Sequence, residues 1–502
     1  MQRIFVFTLL FAAACATTTE VRAPVAVPSP GPAPAQPTAA VPAPPPIMVS
    51  DNARAQAHVL VEQGRNIVVA KGDEGAAEAL AFYREAYALD GTSVESLWEM
   101  GWAYQTLRQW DDALAVWREV EKLAPDHPEL QKFLPLLVMR RDQAAVLAAL
   151  PEPDALIPPE EEPRPGPIVT LAAVGDVQLG RGWPAARATL PTDAKSLFVH
   201  VKPVLEAADI AFGNLETVLA DEGESSKCGP RSTRCYAFRV PTAFAAALAD
   251  TGFDVMSIAN NHAGDFGPAG RKSTQSALDA CAIRHSGPIG DIASWEHNGV
   301  RMALVAFSTG DDVYRVQELA IARKVIAGLD RTHDLVIVSY HGGAEGTGAA
   351  HVPQGTEKFL GEDRGDLRTF THLAIDAGAD VVIGHGPHLW RAMEIYKGRL
   401  IAYSLGNFSS FHTFNLTSTL GLTGILRLSL APNGVLLAAE VVPLRLEEPG
   451  IPTPDPKGKV IEHVRKLSRE DFGVELLDDH GRYRRAGSQA LSQRPSTSTT
   501  LK

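Results

Sequence analysis

From residue 168 onward, apolar runs alternate with polar punctuation. Ile168–Val174 (IVTLAAV) is almost wholly apolar and closes on Gly175-Asp176. Ala208–Phe212 runs into Gly213-Asn214-Leu215-Glu216, and Phe253–Ile258 into Ala259-Asn260-Asn261-His262. Leu335–Ser339 leads to His341-Gly342-Gly343-Ala344-Glu345, and Val381–Ile383 to His385 and His388. Short β-branched runs bounded by glycine predict buried strands. Helical patterns lie between them, as at Thr242–Thr251 and Asp366–Ala377. Strands alternating with helices predict an α/β domain with a largely parallel sheet and its loops at one edge. Ala392–Tyr396 and Leu400–Ser404 flank Lys397-Gly398 and predict a tight hairpin.

Upstream, from Ala53 to about Leu150, Gly and Pro thin out and the period becomes helical. Gly101, Tyr104, Ala113, Trp117 and Pro125 fall at spacings that resemble a tetratricopeptide repeat. About 34 residues earlier stand Ala79, Tyr83 and Gly91. The resemblance implies about two repeats in a small all-α domain over 51–150, with the first helix of the earlier repeat degenerate. Its implied role is binding a protein partner, and a plain helical spacer is the other reading. Residues 16–50 are rich in Pro and Ala, and residues 151–167 are acidic and Pro-rich. Such segments bury no core and read as linkers.

Met1–Cys15 (MQRIFVFTLLFAAAC) carries Arg3, an apolar stretch and then small residues, the pattern of a secretory signal. A Cys directly after small residues also resembles a bacterial lipoprotein processing site, with Ala12 where Leu is usual. On that reading Cys15 is lipidated and anchors the protein to a membrane, facing the periplasm or exterior. Plain secretion with cleavage nearby is the alternative.

The net charge of −12 and pI near 5.7 argue against nucleic acid as the main partner. Four cysteines in 502 residues exclude a disulfide framework as the basis of the fold.

The chemistry lies where the strands end. Five apolar strands each finish in a Gly-punctuated cluster of Asp, Asn, Glu or His. A carboxylate beside a glycine at a strand's C-terminal end is a frequent site geometry in α/β folds, and imidazole is the commonest metal ligand. Any one cluster also reads as an ordinary turn. Five converging on one edge point to a mixed N/O metal site.

These motifs occur in order across roughly Ile168 to Pro443: Gly175-Asp176 with Leu179-Gly180-Arg181, Gly213-Asn214-Leu215-Glu216, Asn260-Asn261-His262 with Asp265-Phe266-Gly267, His341 to Glu345, Gly384 to His388, and Tyr403 to Phe408. Together they resemble the CapA family, the poly-γ-glutamate capsule synthesis proteins, which belong with the calcineurin-like metallophosphoesterases. The resemblance implies an α/β fold, a metallophosphoesterase-like αββα sandwich over 168–450. It implies divalent metal ions, Mn, Fe, Zn or Mg, held by Asp176, Glu216, His262, His341, His385 and His388. Asn214 and Asn261 would ligate or hold a phosphate oxygen. Arg181 would meet an anionic substrate and act in catalysis with Asn261 and His262. Glu345 would orient a histidine beside the substrate. Three departures stand out. Gln178 occupies the His position of Asp-x-His, Gly386 replaces a further His found in many members, and Gly-Asn-Leu-Glu replaces Gly-Asp-x-x-Asp. Two functions follow from the resemblance. One is a metal-dependent hydrolase acting on a phosphoester or anionic polymer of the cell envelope. The other is a non-catalytic component that binds the polymer and recruits a synthase through the repeat helices.

Cys228 and Cys235 bracket GPRSTR within a polar insertion, Asp221 to Tyr236, and are candidates for a small-loop disulfide in an oxidising envelope; two free thiols are the alternative. Prolines at 449, 452, 454 and 456 suggest the end of the domain. Val460, Ile461, Val464 and Leu467 share a helical face able to dock on it. Residues 488–502 are Ser/Thr-rich, a composition that predicts disorder.

Overall fold

The computed structural model describes residues 49–153, 162–184, 188–225, 227–228 and 235–485. The expected signal and Cys15, almost all of the first spacer, much of the second linker and the Ser/Thr-rich tail lie outside the described residues. The chain divides into two compact units, Met1–Ala144 and Ala145–Lys502.

The first unit is helical: Asp51–Lys71, Ala76–Leu89, Val94–Thr106, Trp110–Leu123 and the start of Pro128–Ala149. The helix expected to be degenerate is a full 21 residues, opened by Ser50, whose side chain accepts from the Ala53 N–H. Small residues let the helices approach. A Cβ on Gly101 would lie 1.9 Å from Trp117 Nε1. The Trp117 ring stacks on Trp98 at 4.7 Å, and its N–H donates to the Trp98 carbonyl. Ala79, Tyr83 and Ala113 are buried in the same core.

The second unit holds two large sheets. One runs in the order Ile451–Pro454, Leu436–Glu447, Leu422–Leu430, Val169–Gln178, Ile210–Leu215, Val255–Ser257, Arg284–Ser286. The other runs Met393–Tyr396, Arg399–Ala402, Val381–His385, Leu335–His341, Val300–Ser308, Ala293–His297. The alternation therefore resolves into two sheets, not the one first suggested by pattern alone. A strand's period of two sends neighbours to opposite faces. Leu171 and Ala173 join Ile337, Val381 and Ile383 in the core between the sheets. Ala172 and Val174 turn outward to Leu248 of the helix Phe244–Thr251 and Leu278 of Gly267–Ala280. On the other side Val336, Val338 and Val382 pack on Val325 of Leu319–Asp330 and Phe370 of Leu367–Asp376. The result is an αββα sandwich. Fully burying each such aliphatic side chain contributes about 1.5–3 kcal/mol.

The hairpin is present. Tyr396 pairs with Arg399, leaving Lys397 and Gly398 as a two-residue turn with φ of 48° and 76°. Positive φ at both positions matches the twist of the strands. The prolines after Glu448 do not end the sheet, because Ile451–Pro454 pairs with Leu436–Glu447. Val460, Ile461 and Val464 of the helix Lys459–Phe472 complete the core between the sheets.

Candidate metal centre

The strand Val169–Gln178 is interrupted at its far end, where its register shifts on both sides of Asp176. Gly175 makes this approach feasible, since a Cβ there would meet the Gly406 carbonyl oxygen at 1.9 Å. The Asp176 N–H donates to that carbonyl at 2.8 Å. Asp176 is thus fixed, fully buried, at the edge facing the second sheet. The neighbouring strand brings Asn214, whose Nδ2 donates to Asp176 Oδ1 at 2.8 Å, and then Glu216, also fully buried.

The second sheet contributes imidazoles. His341 and His385 pair directly across two parallel strands. His385 Nδ1 lies 3.3 Å from Asp176 Oδ1. His388 follows in the turn with φ of 61°, a backbone setting that histidine tolerates better than most residues. Its Nδ1 lies 3.0 Å from Asn407 Oδ1, 3.3 Å from Asp176 Oδ2 and 3.8 Å from Glu216 Oε2. His341 Nε2 is 3.8 Å from Glu216 Oε1. Glu345 Oε2 lies 3.8 Å from His388 Nε2, and its other oxygen accepts from buried Arg364 at 2.9 Å. Gly386, with φ of 115°, could carry no histidine here. A Cβ would come within 2.5 Å of the Gly342 carbonyl oxygen.

These charges pull on one another. Burial opposes charge on Asp176, yet the imidazoles of His385 and His388 outweigh it and hold the carboxyl far below its usual range. Burial, with Asp176 and Glu345 nearby, pushes Glu216 well above the usual carboxylate value against the pull of His388. Burial would lower His388, but Glu216, Asp176 and Glu345 prevail and raise it to about 10. His341 is driven well below its ordinary value, chiefly by burial.

Hydrogen bonds do not satisfy this cluster. Asp176 Oδ2, both Glu216 oxygens and both ring nitrogens of His341 and of His385 are buried without a partner. Such groups are rare in folded proteins and call for a missing partner. Asp176, Glu216 and His388 offer three ligand atoms all within 4.8 Å of one another. Buried carboxylate and imidazole donors, most of them without a hydrogen-bond partner, fit a divalent cation.

The second motif group sits beside this cluster. Asn260 donates to Asn214 Oδ1 and the Leu215 carbonyl, and its Oδ1 accepts from the His262 N–H. His262 Nδ1 is 2.8 Å from Asp265 Oδ2, which leaves Nε2 uncommitted to that carboxylate. Asn261 Oδ1 is buried without a partner. Arg181 lies over the rings of Tyr236 and Phe238, 5.5 and 5.9 Å from their centroids, and Phe238 packs 4.5 Å from His262. Sequence reasoning gave no role to Asn260, Asp265, Asn407, Arg364 or Lys227. Asp265 had a readable signal, standing three residues after His262 and so within reach of the same turn. Lys227, in the polar insertion, had none.

Residues 170–411 match the model of the bacterial capsule synthesis protein family. Over this region the chain is similar to that family. The capsule biosynthesis protein CapA of Bacillus anthracis is 28% identical over 311 residues, covering 57% of this chain and 69% of that protein. The PGA biosynthesis protein CapA of Bacillus subtilis (strain 168) is 26% identical over 338 residues, covering 62% and 81%. Among solved structures, the NAD nucleotidase of Haemophilus influenzae aligns over 62% of this chain and 57% of its own, at 12% identity and a TM-score of 0.30, too loose to bear on the site. The capsule-family region spans every motif from Asp176 to Asn407.

Proposed function

We propose that this chain serves the production or export of an anionic capsular polymer, poly-γ-glutamate, through a divalent-metal site between its two sheets. The family of residues 170–411 and the names of its two Bacillus relatives support the polymer. The observation that carries the metal is the buried set of unpaired donor atoms on Asp176, Glu216, His341 and His385, with His388 beside them. These residues would hold the ion, Mn, Fe, Zn or Mg, and His262 would offer Nε2. A bound ion would polarise an anionic oxygen and acidify a water. The chain's own groups do the rest. Asn214 and Asn407 fix Asp176 and His388, and Glu345 is held by Arg364 next to the His388 ring. Arg181, with its guanidinium over two aromatic rings, meets the carboxylate or phosphate of the substrate. Asn261 would hold a substrate oxygen. Hydrolysis of a phosphoester is the activity this arrangement suits. Lipidated Cys15, the Pro-rich spacer and the helical unit would tether the domain to the envelope and recruit a synthase through its tetratricopeptide-like helices.

A second reading, binding without turnover, has one observation in its favour. Gln178, at the position of a phosphoesterase histidine, accepts from the Gly180 N–H at 2.7 Å instead of joining the cluster. Elemental analysis of the purified full chain, with Asp176→Ala and His388→Ala and a phosphodiester assay on each, separates the two. Stoichiometric metal and turnover lost together in both variants establish the hydrolase. Metal without turnover establishes the binding role. A folded chain without metal in any preparation removes the site.

A further inference from the structure

The polar insertion sends one side chain back toward the site. Lys227 Nζ donates to Asp265 Oδ1 at 2.6 Å and to the Asn261 carbonyl at 2.9 Å, and lies 3.3 Å from His262 Nδ1. Asp265 is fully buried. Its other oxygen accepts from the Phe238 N–H at 2.8 Å and faces His262 Nδ1 at the same distance. A buried carboxylate needs a cation and several donors to remain ionised and in place. Lysine is a poor choice for this by itself. Its stem is long and rotatable, and this one is 35% exposed.

What fixes it is covalent. Cys228, the next residue, is bonded to Cys235, with the two Cα atoms 5.5 Å apart. The chain leaving Cys235 reaches Phe238 three residues later. Lys227 grips one oxygen of Asp265 and Phe238 grips the other, and the disulfide ties together the two chain segments that carry them. The Phe238 ring also packs on the His262 ring at 4.5 Å.

We infer that Lys227 and the Cys228–Cys235 disulfide form a clamp on Asp265 that positions His262 toward the metal centre. Lys227 is a positioning residue, acting through Asp265. The inference rests on the metal reading above. Asp265 holds the imidazole by Nδ1, and a histidine so held presents Nε2 with its lone pair free. Without the cation, the buried carboxylate loses its charge partner and the ring loses its fixed tautomer. The disulfide acts by keeping the lysine backbone at the right distance.

The test uses the full chain and Mn2+ alone, titrated calorimetrically, beside thermal melts of each variant. Lys227→Met should weaken Mn2+ binding about 10–100-fold, the usual cost of losing a partner behind a metal ligand. Lys227→Arg should largely restore it. Cys228→Ser with Cys235→Ser should lose as much as Lys227→Met. The triple variant should lose no more than the worse of the two, because both changes break one device. Wild-type affinity in Lys227→Met, or losses that multiply in the triple variant, would overturn the inference. Nitrogen-15 histidine spectra of the metal-free protein give an independent reading. They should show His262 as one Nδ1–H tautomer in the wild type and a mixture in Lys227→Met and in the cysteine variant. Should the wild type take up no Mn2+, the metal reading fails, and the spectra still decide the clamp. An unchanged tautomer refutes it.

Discussion

Replacing Glu216 by Gln should stabilise the metal-free chain and abolish its response to metal. Both Glu216 oxygens are buried without a hydrogen-bond partner, and Asp176 and Glu345 crowd it with negative charge. A buried polar group left unsatisfied costs about 1–3 kcal/mol, more when charged. An amide at the same position carries no charge and offers two donors to the unpaired Asp176 Oδ2. Removing the charge should therefore recover about 1–3 kcal/mol in a chelator. For a sheet unit of roughly 320 ordered residues, the entropy of unfolding is about 0.7 kcal/mol per degree, so the rise is about 1.5–4 °C. With Mn2+ at about 100 times its dissociation constant, the wild type gains about 2.7 kcal/mol, or about 4 °C. The Gln variant, lacking a ligand charge, should gain little. Scanning calorimetry in EDTA and in Mn2+ reads both, and the ranking of the two proteins should narrow or invert between the conditions. If the variant melts below the wild type by the same margin in both, the cluster is a satisfied structural network and the reasoning is wrong.

Three further outcomes test the scaffold. Gly175→Ala would drive a methyl into the Gly406 carbonyl, which is backbone and cannot swing aside; urea melts should show a loss at or above about 3 kcal/mol. A loss below about 1 kcal/mol would mean that Asp176 is not held by this contact. Gly101→Ala gains about 1 kcal/mol of helix propensity but collides with the Trp117 ring, so the emission transition of Trp98, Trp102 and Trp117 should move to lower urea. A shift to higher urea would refute the close packing. His285 is pulled down by burial but raised on balance by Asp291 at 2.8 Å and Asp279 at 3.2 Å. A raised histidine stabilises fully below its unfolded value of about 6.5 and loses that contribution as pH climbs through the folded value. Asp291→Asn should thus lower the melting temperature most near pH 6 and least near pH 9, and a pH-independent difference would refute the charge account.

The strands were legible because their chemistry is local. Val381–Ile383 and Leu335–Ser339 are apolar and β-branched, and both are buried parallel strands. Ligand-type residues at their ends followed from the same pattern. The partition into two sheets did not, since each strand reads alike whichever neighbours it chooses. Sheet membership depends on pairings across long stretches of chain, such as Asp176 with Asn407. The continuation past Pro449 was hidden for a similar reason. Proline marks an edge or a break, and Ile451–Pro454 is an edge strand where two prolines are tolerated. Lys227 was illegible because its role depends on a disulfide and on a turn 34 residues away.

One feature of the cluster follows only from putting its charges together. Asp176 and Glu216 are buried within reach of one another, and the nearest imidazoles differ in their readiness to carry a proton. His341, deep among the strands, resists charge, while His388, at the partly exposed turn, is raised to about 10. In a chain without metal, protonated His388 is therefore the cation that faces both carboxyl groups, and burial makes charge on Glu216 costly. A divalent ion would replace the His388 proton and offset the Glu216 charge, because its ligands must be a bare imidazole and an ionised carboxylate. His388 would thus pass from counterion to ligand, which requires a site that is stable in both states. Its backbone strain at positive φ, with the ring and carbonyl both held by Asn407, is consistent with a residue fixed before the ion arrives. That pre-positioning is what separates a built cation site from three acidic and basic groups that happen to meet.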